Sequence, residues 1–373
     1  MRRPRDVLLN ALFLAPGVSG GPETYLRGLV PALAEEYPEL RLTLATTPSG
    51  EASLREAGWD EFLTLIALPC EDGQMLRRQW AEQVLLGRVA RRAGAELVHS
   101  LASLAPVLPR TTDVVTLHDV TFLREPTFGR VTTLGMGTLV RIAARRASGL
   151  ITGSAAAREE ICSVLGTDPA RFTVVHHGYE PRAVAEHTGE AALRERHRLG
   201  AGRLIACVAA KRPHKNQELL IRAMPLLDGD LTLVLAGHAE PYEQRLRTLS
   251  AELGLQERVR FVGYLSDADL EGLWRAAACC AFPTLGEGFG IPVLESLAHG
   301  VPLACSDLPV LREVGGEIPH YFDPRDPADG ARALTAALAD EETRRTGPVR
   351  AAQFTWRAAA QGTHQAYARA IAR

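Results

Sequence analysis

The sequence predicts an α/β protein made of two doubly wound parallel-sheet domains in tandem, and three observations predict it. Short apolar runs alternate along the chain with longer segments of helical periodicity, which is the form that βαβ units take in a sequence. The alternation starts again after a polar stretch between Glu180 and Gly202. The length of 373 residues also suits two domains, at about 100 to 200 residues each.

The first half contains seven apolar runs that predict strands. In chain order they are VLLNALFLA, LRLTLATT, LTLIALP, AELVHSL, DVVTLHD, GLITGSA and FTVVHHG. Four segments between them carry apolar residues three and four positions apart, as helices with one buried face do. These segments are PETYLRGLVPALAEEYP, MLRRQWAEQVLLGRVARRAG, GMGTLVRIAARRAS and AAAREEICSVLG.

The second half repeats this architecture with different residues. Its predicted strands are LIACVAA, LTLVLAG, RVRFVGYL and CCAFPT, and its predicted helices are NQELLIRAMPLL, PYEQRLRTLSAELG and DADLEGLWRAAA. The run WRAAAQGTHQAYARAIAR predicts a closing helix. We therefore divide the chain into a first domain at 1–180, a second at 181–354 and a terminal helix at 355–373 that crosses back to the first domain.

Composition narrows the class of partner. The formal charge is 42 positive against 44 negative, or −2, so no global basic field indicates nucleic acid. The six cysteines show no metal-binding spacing and lie mostly in apolar segments, which favours small buried thiols in a reducing cytosol. The sequence thus predicts a cytoplasmic protein with a local, small-molecule partner.

The N-terminal stretch MRRPRDVLLNALFLAPGVSGG has basic residues before an apolar run, as secretory signals do. Asp6 and Asn10 interrupt that run, and a glycine loop and a helical segment follow it directly. A first β-strand is therefore the favoured interpretation. The basic helical segment with Arg77, Arg88 and Trp80 leaves open a peripheral contact with the inner face of the membrane, although most such helices simply cover a core.

A glycine-rich loop in the second half, FPTLGEGFGIPVLESLAHG, indicates a binding site. Pro292 suits the first turn of a helix and Gly300 suits its end, so PVLESLAHG should form a short helix whose amino end faces the loop. Free N–H groups at such an end attract anions. Glu287 lies in the loop and Glu295 in the expected first turn, where carboxylates can bind sugar hydroxyls or simply complement the helix dipole.

A second loop, KRPHKNQELL, follows the strand LIACVAA. It places Lys211, Arg212, His214 and Lys215 at a turn between strand and helix, with Asn216 as the expected N-cap. Cationic groups at a strand's carboxyl end favour a diphosphate ligand, although a surface charge run is usually just solvated.

Two loops of the first half complete the candidate set. Gly20 and Gly21 come between the first strand and a helix that Pro22 would start, and the stretch TLHDVTF places His118 and Asp119 at the end of an apolar strand. No GxGxxG follows a first strand and no GxxxxGK[ST] occurs, which disfavours nicotinamide binding and P-loop chemistry.

Together these motifs resemble the retaining glycosyltransferases of family four. GEGFGIPVLESLAHGVPLACSDLPVLREVGG is similar to their Glu-x7-Glu signature, and RPHKN, LVLAGH, TLHDVTFLREP, ITGSAAAREEI and VVHHGYE extend the resemblance over nearly the whole chain. The resemblance implies the GT-B fold, in which two Rossmann-like domains face a central cleft. It also implies transfer of a sugar from a nucleoside diphosphate to an acceptor hydroxyl.

The resemblance assigns the donor-binding residues. Glu287 with the amides of Gly288, Phe289 and Gly290, followed by Ile291, would hold the sugar. Glu295 would hold the ribose of the nucleotide. Arg212 and Lys215 would bind the diphosphate, although a spacing of three leaves Lys211 as an alternative to Arg212. Gly20 and Gly21 would approach that diphosphate, and His118 would lie near the reacting sugar carbon.

The implied catalytic set is His118, Glu287, Arg212 and Lys215. In the resemblance Arg212 and Lys215 take the role that metals play in other transferases, so we expect no metal and no other cofactor. GDP-mannose is the favoured donor, with UDP- and dTDP-sugars left open. The acceptor is a glycan, a lipid-linked glycan or a small metabolite. A catalytically degenerate binding partner and a sugar-nucleotide epimerase of the same fold are the alternatives.

Overall fold

The computed structural model describes residues 3–70, 74–107, 111–124, 130–180, 186–227 and 229–372. The chain forms two compact units. The first is Met1–Gly178 together with Thr355–Arg373, and the second is Tyr179–Phe354.

The first unit contains a seven-stranded parallel sheet of order β3-β2-β1-β4-β5-β6-β7. Its strands are β1 Asp6–Ala11, β2 Arg41–Thr46, β3 Thr64–Ala67, β4 Leu97–Ser100, β5 Thr112–Thr116, β6 Gly149–Thr152 and β7 Phe172–Val174. Its helices are α1 Gly21–Glu36, α2 Pro48–Glu56, α3 Met75–Trp80, α4 Leu86–Arg92, α5 Thr121–Arg124, α6 Arg130–Arg146 and α7 Ala155–Leu165, with α16 Trp356–Ile371 returning from the end of the chain.

The second unit contains a six-stranded parallel sheet of order β10-β9-β8-β11-β12-β13. Its strands are β8 Arg203–Val208, β9 Leu231–Ala236, β10 Val259–Val262, β11 Ala277–Phe282, β12 Leu303–Ser306 and β13 His320–Phe322. Its helices are α8 Glu190–His197, α9 Gln217–Ala223, α10 Glu243–Glu252, α11 Asp267–Ala276, α12 Ile291–Ala298, α13 Pro309–Gly315, α14 Pro327–Leu338 and α15 Thr343–Ala351.

Both sheets are doubly wound, because the strand order runs outward in both directions from the first strand of each unit. Helices cover both faces of such a sheet, so its central strands read as continuous apolar runs. All six residues of β9, for example, are buried. Such continuous apolar runs explain why eleven strands, including β1 in the basic N-terminal stretch, agree with the sequence prediction.

The structure also contains elements that the sequence interpretation omitted. The strands β12 and β13, of four and three residues, were not predicted, although they are no shorter than the predicted strands β4 and β7. Helix α8 lies inside the stretch that was assigned to the polar boundary, and only its Leu193 is buried. The six cysteines are free and buried, as predicted.

The basic segment between α3 and α4 is a helix with a π-turn at Ala81–Leu85. Its arginines Arg77 and Arg88 are exposed, as is Trp80, whereas the side chain of Leu76 lies outside the described residues. The π-turn places Glu82 in the interior, where Asn10 Nδ2 donates a hydrogen bond to its Oε1 at 2.6 Å. Burial raises the pKa of Glu82 to about 7, against the opposing effect of this hydrogen bond.

Candidate functional site

The switch point of the second sheet lies between β8 and β11. The chain winds outward from β8 to β9 on one side and from β11 to β12 on the other. Ligands of open α/β sheets bind at the carboxyl ends of the strands beside such a point. The loops that follow β8 and β11 are 209–216 and 283–290, so the topology brings the two predicted loops of this half to one place.

Hydrogen bonds to backbone carbonyls join these two loops. The carbonyl of His214 accepts from Leu285 N at 2.8 Å and from the Thr284 hydroxyl at 3.1 Å. Asn216 Nδ2 donates to the carbonyls of Pro283 at 3.0 Å and Pro324 at 2.8 Å. The loops therefore form one rigid cradle.

The bonds of Asn216 correct the prediction that its side chain caps the following helix. Asn216 does precede α9, but its φ is 55° and its side chain makes no capping bond. The left-handed conformation ends the 3₁₀ turn Pro213–Lys215 and directs the amide toward the neighbouring loop instead. The residue therefore connects loops rather than starting a helix.

Lys215 and Glu287 form an ion pair in this cradle. Lys215 Nζ lies 2.6 Å from Glu287 Oε2, and the two side chains are only 19% and 18% exposed. The other carboxylate oxygen, Glu287 Oε1, accepts from Gly288 N at 3.3 Å. Two residues assigned to different parts of one donor are thus in direct contact.

Arg212 forms a second ion pair, with a residue that the sequence interpretation did not single out. Its guanidinium lies 2.6 Å from Glu240 Oε1, and the side chains are 38% and 30% exposed. Glu240 lies in the loop after β9, the strand beside β8. Since neighbouring parallel strands end at the same edge, the position of Glu240 after LVLAG was the signal that could have found it.

Lys211 lies apart from these solvent-accessible cations, because its side chain is fully buried. Its Nζ donates to the carbonyls of Gly237 and Val262, each at 2.5 Å, and lies 3.6 Å from Glu243 Oε2. Burial lowers the pKa of Lys211, with the nearby Glu243 carboxylate opposing the shift. We therefore leave Lys211 out of the proposed donor contacts and keep Arg212.

The glycine loop ends at α12, which begins at Ile291 with Pro292 in its first turn. Gly290 has a φ of 94°, and a Cβ there would lie 2.7 Å from Leu311 Cδ2, so glycine is required on two grounds. Glu295 lies in the second turn, not the first as the sequence suggested, because the helix starts directly after Gly290. Phe289 is buried and packs against Phe354, with 5.9 Å between ring centroids.

A partly buried histidine at the end of α12 supports the helix that carries Glu295. His299 Nδ1 donates to the Glu295 carbonyl at 2.7 Å, and Nε2 lies 2.8 Å from Glu271 Oε2. Burial of Glu271 acts to raise its pKa, but the contact with His299 holds that pKa below its usual value. The sequence interpretation missed this pair, which couples α11 to α12.

In the first unit, the glycine loop after β1 leaves open space at the predicted position. Gly20 has a φ of 61°, and a Cβ at Gly20 or at Gly21 would have no neighbour within 4 Å. Gly17 N donates to Glu23 Oε2 at 2.8 Å, so the first turn of α1 fixes the loop. Backbone groups at Gly20 and Gly21 are therefore sterically accessible.

His118 follows β5, and its ring is held on several sides. Nε2 donates to the Leu101 carbonyl at 2.9 Å, which assigns the proton to that nitrogen. The ring packs edge-on against Tyr25 at 4.9 Å and His177 at 5.4 Å between centroids. Asp119 Oδ1 accepts a hydrogen bond from Thr121 N at 2.8 Å, at the first residue of α5.

A series of buried polar side chains, joined by hydrogen bonds, holds Tyr25 in place, and Tyr25 packs against His118. The Tyr25 hydroxyl lies 3.2 Å from Thr116 Oγ1, and His99 Nε2 lies 2.8 Å from the same oxygen. His99 Nδ1 in turn lies 2.8 Å from the Tyr367 hydroxyl on α16. Burial lowers the pKa of His99 to about 3, so this imidazole is neutral.

The described ranges contain no candidate metal cluster and no candidate membrane span. No group of three or more His, Cys, Asp and Glu side chains there could hold a metal ion. Within the same ranges, no helix is long and apolar enough to cross a bilayer.

Both halves of the chain match known families. Residues 19–182 match the family described as Glycosyltransferase Family 4, and residues 190–348 match Glycosyl transferases group 1. O-antigen chain mannosyltransferase B of Escherichia coli is 32% identical over 169 residues, which are 43% of this chain and 44% of that protein. MMP alpha-(1->4)-mannosyltransferase of Mycolicibacterium hassiacum is 31% identical over 241 residues, which are 62% and 56% of the two chains.

The chain thus spans about half the length of these curated relatives. Among solved structures, Anabaena HepE in complex with UDP and glucose superposes with a TM-score of 0.74 at 19% identity, over 97% of this chain and 98% of that one.

The two parallel sheets and this likeness define a protein of the GT-B fold, with two Rossmann-like domains. More particularly, the chain carries a glycosyltransferase family 4 domain at residues 19–182 and a glycosyl transferases group 1 domain at 190–348.

Proposed function

We propose that this protein is a retaining hexosyltransferase, which moves a sugar from a nucleoside-diphosphate sugar to an acceptor hydroxyl. The observation that carries the proposal is the cradle at the switch point of the second sheet. There the ion pair of Lys215 and Glu287 lies beside the glycine loop and the amino end of α12. Cations and a carboxylate at one place suit a ligand that has both phosphates and hydroxyls.

In the proposed complex, Arg212 and Lys215 bind the diphosphate. Both side chains reach the solvent, unlike Lys211. The backbone of Gly20 and Gly21 approaches the same diphosphate, for which their open surroundings are suitable.

The donor sugar is bound by Glu287 and by backbone amides of the glycine loop at Gly288, Phe289 and Gly290. Ile291 follows as the first residue of α12. Carboxylates accept hydrogen bonds from sugar hydroxyls, and backbone N–H groups donate hydrogen bonds to sugar oxygens. Glu295 binds the ribose of the nucleotide.

The proposed reaction is a front-side displacement. The bond between the anomeric carbon and the leaving phosphate oxygen breaks, and a bond from that carbon to the acceptor oxygen forms on the same face. The acceptor's proton passes to the leaving diphosphate. Arg212 and Lys215 stabilise the negative charge that develops there, so we propose that no metal or other cofactor is needed. His118 lies near the reacting carbon, with its ring held by Leu101 and Tyr25.

Neither Glu287 nor Glu295 is proposed as a nucleophile. Retaining glycoside hydrolases place two carboxylates about 5 Å apart across the scissile bond. Here one carboxylate faces Lys215 in the loop, whereas the other belongs to the second turn of α12. Their separate positions favour contacts with different parts of one donor.

GDP-mannose is the donor we favour, since two of the relatives are named as mannosyltransferases. HepE was solved with UDP and glucose, so UDP-sugars stay in the set to be tested together with dTDP-sugars. The proposed acceptors are a glycan, a lipid-linked glycan or a small metabolite. We place the reaction in the cytoplasm.

The exposed arginines and Trp80 of the segment 75–92 suit contact with an anionic membrane face. Co-sedimentation with vesicles containing 30% anionic lipid tests this contact. The contact would be supported if the protein binds these vesicles and if Arg88→Ala and Arg91→Ala abolish the binding.

Thermal unfolding with GDP, UDP and dTDP, each with and without EDTA, tests the proposed function. A ligand at 100 times its dissociation constant adds about 2.7 kcal/mol, or about 2 to 4 °C. One nucleotide should raise the melting temperature equally with and without EDTA. The matching sugar nucleotide should then transfer its sugar with the anomeric configuration kept, as the anomeric proton coupling reports.

Two other outcomes would contradict the proposal. Binding without turnover would favour a degenerate partner subunit. Interconversion of the free sugar nucleotide without an acceptor would favour an epimerase.

A further inference from the structure

Each proposed phosphate-binding cation forms an ion pair with a carboxylate. Lys215 is paired with Glu287 at 2.6 Å, and Arg212 is paired with Glu240 at 2.6 Å. Two cations and two carboxylates sum to zero charge at the place where a diphosphate is proposed to bind. A diphosphate that binds both cations must therefore share them with these two carboxylates or displace the carboxylates.

The arrangement of the two pairs differs from that of the ion pairs that lie along a single helix of the second unit. Those connect residues three or four positions apart, such as Arg332 and Asp329 in α14. The pairs of Arg212 and Lys215 instead join the loop after β8 to the loops after its two neighbours, β9 and β11. The carboxylates thus approach from both sides of the proposed diphosphate site.

We propose that Glu240 and Glu287 compete with the diphosphate for Arg212 and Lys215, and so set how tightly the nucleotide is held and how readily it leaves. This inference rests on the proposed function and adds Glu240 to its residues. When a donor binds, phosphate oxygens replace the two carboxylates as ion-pair partners. Glu287 is then free to accept from sugar hydroxyls.

Transfer of the sugar reverses this exchange. Glu287 loses its hydroxyl partners when the sugar leaves, and it returns to Lys215. Glu240 regains Arg212 only when the diphosphate itself leaves. Glu287 therefore lowers the affinity for the nucleoside diphosphate product relative to the intact donor, whereas Glu240 lowers the affinity for both and speeds their release.

Calorimetric titration of the full chain with GDP, UDP and dTDP, without any sugar, tests this inference on Glu240→Gln and Glu287→Gln. Each change keeps the side-chain shape and removes the competing charge. Exposed ion pairs contribute up to about 1 kcal/mol, so E240Q should lower the dissociation constant about twofold to fivefold. E287Q, whose pair is less exposed, should lower it about threefold to tenfold.

A kinetic measurement separates competition from other roles. E287Q should bind the free nucleotide more tightly and yet turn over more slowly, because its sugar contact is weakened. E240Q should show a lower inhibition constant for the nucleotide product, in parallel with its dissociation constant. The gain in both variants should shrink at 0.5 M salt, where charge competition is screened.

Glu342→Gln is the matched control. It removes the same charge from an exposed ion pair of the same unit, and it should leave nucleotide affinity unchanged. Melting temperatures within 2 °C of wild type would establish that each variant is folded.

The outcomes distinguish the inference from the proposed function. If wild type binds a nucleotide and neither variant binds it more tightly, the inference is overturned and the proposed function stands. If wild type binds none but E240Q or E287Q does, the inference is supported. If no form binds any nucleotide, both are overturned.

Discussion

Lys215 Nζ contacts Glu287 Oε2 at 2.6 Å although the two residues are 72 positions apart in the chain. The contact exists because β8 and β11 are neighbours at the centre of the second sheet and their following loops share its carboxyl edge. A cation that is expected to hold phosphate and a carboxylate that is expected to hold sugar are therefore parts of one cradle. The predictions below test what each part of the cradle and its supports contribute.

Lys215→Ala should reduce turnover about 100-fold or more, because the variant removes a charge that stabilises the leaving diphosphate. Lys215→Arg should recover part of this loss, since the charge is kept. Steady-state kinetics with the donor identified by thermal unfolding measure both. Arg345→Ala, an exposed arginine paired with Glu342, is the control and should turn over as wild type does.

Arg212→Ala should impair nucleotide binding, whereas Lys211→Met should impair stability. R212A should weaken nucleotide binding about tenfold with little change in stability, because Arg212 is partly exposed. K211M should lower the free energy of unfolding by about 2 to 3 kcal/mol, because it leaves the Gly237 and Val262 carbonyls unpaired. Calorimetry and urea unfolding measure the two effects. Weak binding by a stable K211M would instead return Lys211 to the donor site.

Gly290→Ala should lower the free energy of unfolding by about 1 to 3 kcal/mol and weaken donor binding. The backbone at φ 94° strains any other residue, and the new Cβ would meet Leu311 at 2.7 Å. Gly189→Ala is a suitable control, because Gly189 precedes α8 with φ −62° and has open space around it. Equal stabilities of the two variants would mean that the start of α12 tolerates a side chain.

His118→Ala should reduce turnover about tenfold to 100-fold and leave the dissociation constant of the free nucleotide within twofold of wild type. The side chain is proposed to act near the sugar carbon and not on the phosphates. Kinetics and calorimetry on the same preparation measure this split. A large loss of nucleotide affinity in H118A would move the residue to a different part of the donor.

Glu82 should make the stability of the protein depend on pH near neutrality. Its folded pKa is about 7 against 4.5 for the unfolded chain, so the folded state holds the proton more tightly. The contribution of Glu82 to stability is therefore greatest below pH 4.5 and falls as the pH rises to about 7, by roughly 3 kcal/mol in total.

Glu82→Gln should abolish this dependence while keeping the hydrogen bond from Asn10. The difference in free energy of unfolding between E82Q and wild type, measured by urea unfolding from pH 4.5 to 8, should therefore grow with pH. A constant difference across this range would show that Glu82 does not titrate there.

The sequence predicted the parts of the fold that depend on continuous apolar runs. The six buried residues of β9 are an example, since a strand covered on both faces is apolar throughout. The strands β12 and β13 were missed although they are no shorter than β4 and β7, which were predicted, so their length does not explain the difference.

The residues of the candidate site were predictable where the composition of a single loop indicated binding. The glycine loop and the cationic loop each stand out in the sequence, so their place beside the switch point follows from the fold. Glu240 was missed although its position after LVLAG was a usable signal, whereas the His299–Glu271 pair was not predictable, because it joins residues that are distant in the chain. The burial of Lys211 was hidden for the same reason, since its partners Gly237 and Val262 belong to other strand ends.

Calorimetric titration tests directly whether Lys215 holds the nucleotide without a metal. Wild type and Lys215→Ala are titrated calorimetrically, in EDTA, with the nucleotide that gives the largest thermal shift. Our expectation is one binding site per chain in wild type and a nucleotide affinity at least tenfold lower in K215A. Equal affinities in the two proteins, or binding by wild type only after a divalent metal replaces the EDTA, would contradict it.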